Sequence, residues 1–293
     1  MCETCGGHGA SADRSPEITT GGNRIVVVGK GGVGKSTISA LLARVLARSG
    51  LSVLAVDADE QRNLAATLGV GAAIAATLVP LAEDAGYIEE KTGARPGEGA
   101  GGMLRLNPDT SDLVDRLSVP APDGVRLVVM GGVRRAGGGC LCPETALVAS
   151  AVGGMHLHAE DIVVMDTHAG VEHFGRALAR GFDTAVVVVE PSFNAVQVGM
   201  ESAGLARDLG ISRLHLVVNR AGSFHDVERV LDHIDRLGGF DFESTTVLPV
   251  DQSVIDGEPS VDVALRGSPI LQALGGLVVA VMADAPAMSG LVA

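Results

Sequence analysis

The fold of this chain is decided by the stretch Gly29-Lys30-Gly31-Gly32-Val33-Gly34-Lys35-Ser36-Thr37. A β-branched run (25–29) leads into it, and a segment of helical character (36–49) follows it. Strand, glycine-rich turn and helix, in that order, form the context in which a P-loop binds phosphate through backbone N–H groups and a helix N-terminus. We therefore predict a nucleotide site, with Lys35 reaching the β- and γ-phosphates and the Ser36 hydroxyl bound to Mg²⁺.

The rest of the chain repeats the alternation of strand and helix. Short apolar runs predict further buried strands at 51–56, 125–130, 161–165, 184–189, 214–218 and 245–250, with helices between most of them, such as 194–209 and 226–237. This order indicates βαβ units. We predict an α/β fold with a doubly wound, mostly parallel sheet and helices on both faces, and a less regular helical insertion at 72–122.

Composition narrows the classes of function. Hydrophobic residues make up 46% of the 293 residues and aromatic residues only 2%, which suits a core of aliphatic side chains between a parallel sheet and its helices. The net charge of −13 disfavours binding to nucleic acid or to an anionic membrane. No secretory signal is visible, and the longest apolar stretch (270–283) is too short to span a bilayer. We expect a cytoplasmic protein with neither nucleic acid nor a membrane as partner.

Lys30 separates this P-loop from the ordinary kind. Lys-Gly-Gly-Val-Gly-Lys-Ser-Thr resembles the deviant Walker A ATPases, a superfamily that includes MinD, ParA and the nitrogenase iron protein. The resemblance implies hydrolysis of ATP by a homodimer in which Lys30 reaches the partner's nucleotide. It also implies that Asp59 orients the attacking water and that Asp57 lies near Mg²⁺. Asp166 ends a hydrophobic strand in the Walker B manner and should hold Mg²⁺ through water.

The same resemblance assigns the remaining nucleotide contacts. The phosphates would be surrounded by the seven loop residues Gly31, Gly32, Val33, Gly34, Lys35, Ser36 and Thr37. Asn219 and Arg220 match the Asn-Arg pair that contacts adenine in this superfamily, and Pro249 and Asp251 lie in the second base-contacting loop. Guanine specificity usually needs Asn-Lys-x-Asp, and Gly222 stands where its acidic residue would be. The expected nucleotide is therefore ATP.

A Cys-x-Cys motif suggests a metal site shared by two chains. Cys140 and Cys142 cannot complete a tetrahedral site alone, but two copies across a two-fold axis supply four thiolates, which suits Ni²⁺ or Zn²⁺. The segments 140–144 and 166–174 resemble the CooC-type nickel-insertion ATPases, which assist maturation of carbon monoxide dehydrogenase. The resemblance implies a metallochaperone with a nickel-enzyme apoprotein as partner.

The N-terminus predicts a separate element. Residues 1–23 form a polar, glycine-rich leader, whereas 24–293 constitute the ATPase domain. Cys2 and Cys5 are spaced as Cys-x-x-Cys and resemble the start of hydrogenase nickel-incorporation GTPases, although Gly7 replaces the third cysteine of that pattern. Metal capture by Cys2 and Cys5 and a flexible tail with incidental thiols both remain open.

Two other functions fit the same P-loop. One is a positioning ATPase of the MinD or ParA type, which the acidic charge and the absence of a basic amphipathic C-terminal segment disfavour. The other is an iron–sulfur reductase like the nitrogenase iron protein. That protein takes its cluster cysteines from well-separated positions and not from a Cys-x-Cys motif.

Overall fold

The computed structural model describes residues 22–93, 105, 108–131, 158, 160–168, 179 and 181–283. Its centre is a sheet of eight strands in the order β3-β4-β2-β5-β1-β6-β7-β8. Neighbouring strands are parallel except β3 and β4, which are antiparallel. The strands are β1 (Asn23–Gly29), β2 (Ser52–Ala58), β3 (Val119–Pro120), β4 (Arg126–Val129), β5 (Asp161–Thr167), β6 (Thr184–Val189), β7 (Arg213–Ala221) and β8 (Ser244–Pro249). The predicted fold class is confirmed.

Helices cover both faces of the sheet. They are α1 (Lys35–Arg48), α2 (Leu64–Leu68), α3 (Ala72–Ala75), α4 (Ala85–Thr92), α5 (Leu113–Leu117), α6 (Phe193–Asp208), α7 (Phe224–Arg236), α8 (Gln252–Asp256) and α9 (Pro269–Met282), with short 3-10 turns at Leu81–Glu83, Pro122–Gly124 and Ala264–Arg266. Successive strand residues point to opposite faces. Ile25 and Val27 accordingly pack in one cluster with α1 and α9, whereas Val26 and Val28 pack in the other with α6 and α7.

Local sequence explains where the major helices begin. Ser192 and Ser268 accept hydrogen bonds from the backbone in the first turns of α6 and α9, and Pro269 occupies the first turn of α9. Ser223 and Asp226 form a capping box at the start of α7. Such caps satisfy N–H groups that have no partner within the helix. Among the described residues, none of the helices is both long and apolar enough to cross a membrane.

The predicted strands are all present, but several extend beyond their predicted ends. β2 continues to Ala58 and β5 to Thr167, so Asp57 and Asp166 are each the second-to-last residue of their strand. The helical insertion at 72–122 is confirmed in its described part as α3, α4 and α5. The short edge strand β3 was not predicted, because two residues that include a proline carry no alternating pattern.

Candidate nucleotide-binding site

The P-loop connects β1 to α1 at the carboxyl end of the central strand. Gly29 and Gly34 have φ angles of 142° and 98°, a region that favours glycine. A Cβ atom on Gly29 would lie 2.3 Å from the carbonyl oxygen of Val188 on β6, and one on Gly34 would lie 2.5 Å from Nδ2 of Asn219. These two glycines are therefore needed both for the shape of the loop and for its close contact with β6 and β7.

We expect Gly29→Ala to destabilise the protein strongly. The added methyl group meets backbone that cannot move without disturbing the sheet, so the free energy of unfolding should fall by at least about 3 kcal/mol. Gly50→Ala is the matched control, because Gly50 also has a positive φ of 90° but nothing lies within 4 Å of its added Cβ. Its loss should be about 1 kcal/mol. Equal losses in urea unfolding would contradict the proposed contact with Val188.

Lys35 points back into the loop from the first turn of α1. Its side chain is buried, and its Nζ donates to the carbonyl oxygen of Lys30 at 3.1 Å. Burial lowers the pKa of Lys35, while the charges of Asp166 and Asp59 oppose that shift. The ammonium group thus bonds to a loop carbonyl and is stabilised by the charges of two carboxylates, and its predicted contact with the phosphates stays a prediction.

Two buried carboxylates lie side by side beneath the loop. Asp57 on β2 and Asp166 on β5 are register partners, and both are fully buried. Burial, together with the charge of Asp166, raises the pKa of Asp57. Burial also raises the pKa of Asp166, which hydrogen bonding from Ser36 and the charge of Lys35 partly offset. Paired buried carboxylates are costly unless a cation neutralises them.

The donor set suits magnesium. The Ser36 hydroxyl donates to Oδ2 of Asp166 at 2.6 Å, and the Ser39 hydroxyl approaches its Oδ1 at 3.3 Å. Hydroxyl and carboxylate oxygens are the ligands that Mg²⁺ prefers. The structure therefore brings together Ser36, Asp57 and Asp166, the residues predicted from sequence to hold or surround this ion.

Asp57 also shapes the loop that carries Asp59. Its carboxylate accepts hydrogen bonds from the backbone N–H groups of Asp59 and Leu64 at 3.1 and 3.0 Å. Asp59 is only partly buried, and its Oδ1 accepts from the N–H of Gln61 at 2.8 Å. The predicted role of Asp59 in orienting an attacking water stays a prediction.

Two of the predicted base-contacting residues bond to the P-loop from the end of β7, and the other two lie at the end of β8. Asn219 Nδ2 donates to the carbonyl oxygen of Val33 at 2.8 Å, and Arg220 Nη1 donates to that of Gly32 at 2.9 Å. Pro249 ends β8 opposite Ala221. The Asp251 carboxylate accepts from the N–H groups of Ser253 and Ile270 and so joins α8 to α9. Contact of these residues with adenine stays a prediction.

Sequence reasoning predicted that switch II begins at Thr167, but it missed Ser39 and the contact that Thr167 makes. Ser39 lies one helical turn after Ser36 and shares its carboxylate partner, so the i, i+3 spacing could have indicated it. Thr167 follows Asp166 and donates to the carbonyl oxygen of Val27 at 2.7 Å, which fastens β5 to β1 just before the P-loop. Nothing in the sequence pattern indicated that second contact, because it depends on strand order.

The predicted thiolate ligands lie outside the described residues. This holds for Cys2 and Cys5 in the leader and for Cys140 and Cys142 in the Cys-x-Cys motif. Among the residues that the structure describes, no group of three or more His, Cys, Asp or Glu side chains could hold a metal ion. Binding of Ni²⁺ or Zn²⁺ therefore stays a prediction from sequence.

Known proteins resemble this chain along most of its length. A family model described as the CobQ/CobB/MinD/ParA nucleotide binding domain matches residues 25–258. The carbon monoxide dehydrogenase accessory protein CooC of Rhodospirillum rubrum is 41% identical over 224 residues, which are 75% of this chain and 84% of that protein. An uncharacterized ATP-binding protein of Methanocaldococcus jannaschii is 35% identical over 80% of this chain and 88% of its own length.

Solved structures agree with the fold. The septum site-determining protein MinD of Pyrococcus horikoshii, complexed with Mg-ADP, superimposes with a TM-score of 0.61 at 20% identity. The match covers 87% of this chain and 94% of that one. At this level of identity the likeness concerns the architecture of sheet and helices.

Proposed function

Because this chain is an ATPase that belongs to the CobQ/CobB/MinD/ParA nucleotide-binding family, we propose that it uses ATP hydrolysis to assist the maturation of a nickel enzyme. The observation that supports this proposal most is the 41% identity to a carbon monoxide dehydrogenase accessory protein. The enzyme that is matured would be carbon monoxide dehydrogenase or another nickel enzyme, in its apo form. We further propose that 24–293 form the working ATPase domain and that the leader, with Cys2 and Cys5, supplies metal to it.

The chemistry of hydrolysis follows from the residues around the P-loop. Lys35 neutralises charge on the β- and γ-phosphates, and Asp59 orients the water that attacks the γ-phosphorus. Ser36, Asp57 and Asp166 would hold Mg²⁺, which neutralises phosphate charge when bound. Lys30 adds a second cation from a partner subunit. Since Lys35 is internal to its own loop, the two lysines have different roles.

Nucleotide and metal would be coupled through the dimer. ATP draws two chains together, because each Lys30 completes the site of its partner. The same two-fold axis brings two Cys140 and two Cys142 thiolates into one tetrahedral site. After hydrolysis the chains separate and the metal ligands are divided. The affinity for metal therefore depends on the nucleotide that is bound.

Replacing Cys142 with alanine should remove the shared metal site. Native protein, reduced and anaerobic, should bind about one Ni²⁺ per dimer at this site, with an affinity that differs between Mg-ATP and Mg-ADP. Cys142→Ala should lose this nucleotide-dependent binding and keep ATP hydrolysis. The matched control is Cys5→Ala, which removes a thiol from the leader and should leave nucleotide-dependent binding in place.

The measurement is a calorimetric titration with Ni²⁺, followed together with molar mass and thiolate-to-metal absorption. If nucleotide-dependent Ni²⁺ binding survives in Cys142→Ala and disappears in Cys5→Ala, the metal site is in the leader and not in the Cys-x-Cys motif. Nucleotide-driven dimerisation with no metal binding in native protein would overturn the metallochaperone proposal and leave a positioning ATPase as the better account.

A further inference from the structure

The two carbonyl groups at the centre of the P-loop are both held by side chains from β7. Arg220 Nη1 donates to the oxygen of Gly32 at 2.9 Å, and Asn219 Nδ2 donates to the oxygen of Val33 at 2.8 Å. Gly32 itself is exposed, with a φ of 83°, so its own packing does not fix the orientation of its peptide group. The hydrogen bonds from Arg220 and Asn219 therefore fix the orientation of the peptide groups that follow Gly32 and Val33.

The direction of these bonds matters for phosphate binding. In a trans peptide, the C=O of one residue and the N–H of the next point in opposite directions. Holding the oxygens of Gly32 and Val33 toward β7 therefore turns the N–H groups of Val33 and Gly34 away from β7. Successive N–H groups with one orientation form the concave nest that binds an anion.

The backbone of β7 is specially shaped to present Arg220. Arg220 has a φ of 56°, which is uncommon for a residue with a side chain. The register between β7 and β8 shifts between Val218 and Ala221, as at a β-bulge, and bulges re-aim side chains. Strained backbone at such a position points to a functional constraint.

An acidic residue just after the neighbouring strand contacts the arginine. Glu190 directly follows β6, and its Oε2 lies 3.6 Å from the same Nη1 that bonds to Gly32. One guanidinium nitrogen thus contacts both a carboxylate and the P-loop carbonyl. Because Glu190, Arg220 and Gly32 come from three successive strand ends, the contact joins β6, β7 and the P-loop.

We propose that Arg220, with Asn219 beside it, is a positioning residue for the phosphate cradle, and that Arg220 acts on the phosphates and not on the base. Arg220 acts through the Gly32 peptide on whichever polyphosphate is bound. Its contribution is therefore the same for ligands with and without adenine.

The test compares a ligand that has a base with one that has none. Arg220→Asn removes the guanidinium group, and asparagine tolerates a positive φ better than most residues, so backbone strain is not the variable. We expect it to weaken Mg-tripolyphosphate and a non-hydrolysable Mg-ATP analogue by the same factor, about tenfold, in calorimetric titrations. Arg220→Lys, which keeps the charge, should stay within about threefold of native protein.

The control is Arg229→Asn. Arg229 is an arginine of α7 with a similar half-exposed side chain that bonds to Asp226 and to the carbonyl oxygen of Pro191. Arg229→Asn changes the net charge by the same amount as Arg220→Asn, and it should leave the affinities for tripolyphosphate and for the ATP analogue unchanged. The ratio of ATP to GTP affinity is the second measurement, and it should be the same in Arg220→Asn as in native protein.

Three results would overturn the proposal. The first is weaker binding of the ATP analogue with unchanged binding of tripolyphosphate, and the second is a collapse of the preference for ATP over GTP. Either would make Arg220 a reader of the base alone. The third is unchanged affinity for both ligands in Arg220→Asn.

Discussion

Lys30→Ala should lower the turnover of ATP at least about 100-fold while leaving ATP affinity within about threefold, because the cation that we propose Lys30 supplies to a partner subunit acts mainly in the transition state. Among the described residues, the Lys30 side chain has no ion pair or hydrogen bond, and only its carbonyl oxygen is engaged, by Lys35. Lys35→Ala, by contrast, should lose both binding and turnover.

Mixing two inactive variants tests whether Lys30 acts between subunits. Asp59→Asn should also be inactive, and its amide oxygen can still accept from Gln61. In a mixed dimer with Lys30→Ala, one site has an intact Asp59 of its own and an intact Lys30 from the partner. Random pairing should therefore restore about a quarter of native activity. If each lysine serves its own nucleotide, mixing restores nothing.

Asp166→Asn should abolish magnesium-dependent hydrolysis and yet make the metal-free protein more stable at pH 8. The substitution removes one of two adjacent buried charges. The hydroxyl groups of Ser36 and Ser39 can rotate to serve an amide as donors or acceptors, so little hydrogen bonding is lost. We expect turnover to fall at least about 100-fold and the melting temperature in a chelating buffer to rise by about 5 °C.

The stability of the metal-free protein should decrease as the pH rises. Folding raises the pKa of Asp57 to about 7 and that of Asp166 to about 6, so the folded state holds protons more tightly than the unfolded chain. The stability from these groups is fully present below their unfolded pKa of about 4 and is lost as the pH rises to about 7. Native protein in chelator should lose stability across this window, and Asp166→Asn should lose less.

Asp251→Asn is the matched control for this stability measurement. Asp251 is also buried, but hydrogen bonds from Ser253 and Ile270 outweigh the effect of burial and lower its pKa. Its carboxylate is thus stabilised by folding, and its loss should lower the melting temperature at pH 8. If Asp166→Asn also lowers the melting temperature, the two adjacent carboxylates do not repel each other as inferred.

The sequence alone determined the fold class and the phosphate site. Buried parallel strands are continuous apolar runs, and a glycine-rich turn between strand and helix depends on local backbone requirements, so both are visible in the order of residues. The sequence also indicated that Lys35, Ser36, Asp57 and Asp166 belong to one site, because the P-loop and the ends of strands carry these residues; their roles in hydrolysis stay predictions. Each of these features depends on a stretch of only a few consecutive residues.

Only the tertiary structure decided which separated groups meet. The pairing of Asp57 with Asp166 follows from β2 and β5 being neighbours, and the bonds from Asn219 and Arg220 to the P-loop follow from β7 lying two strands from β1. The close contact of Gly29 with Val188 on β6 has the same origin. Strand order and register result from packing across the whole sheet, and no local pattern encodes them. The sequence therefore names the chemical groups of the site, and the sheet sets the distances between them.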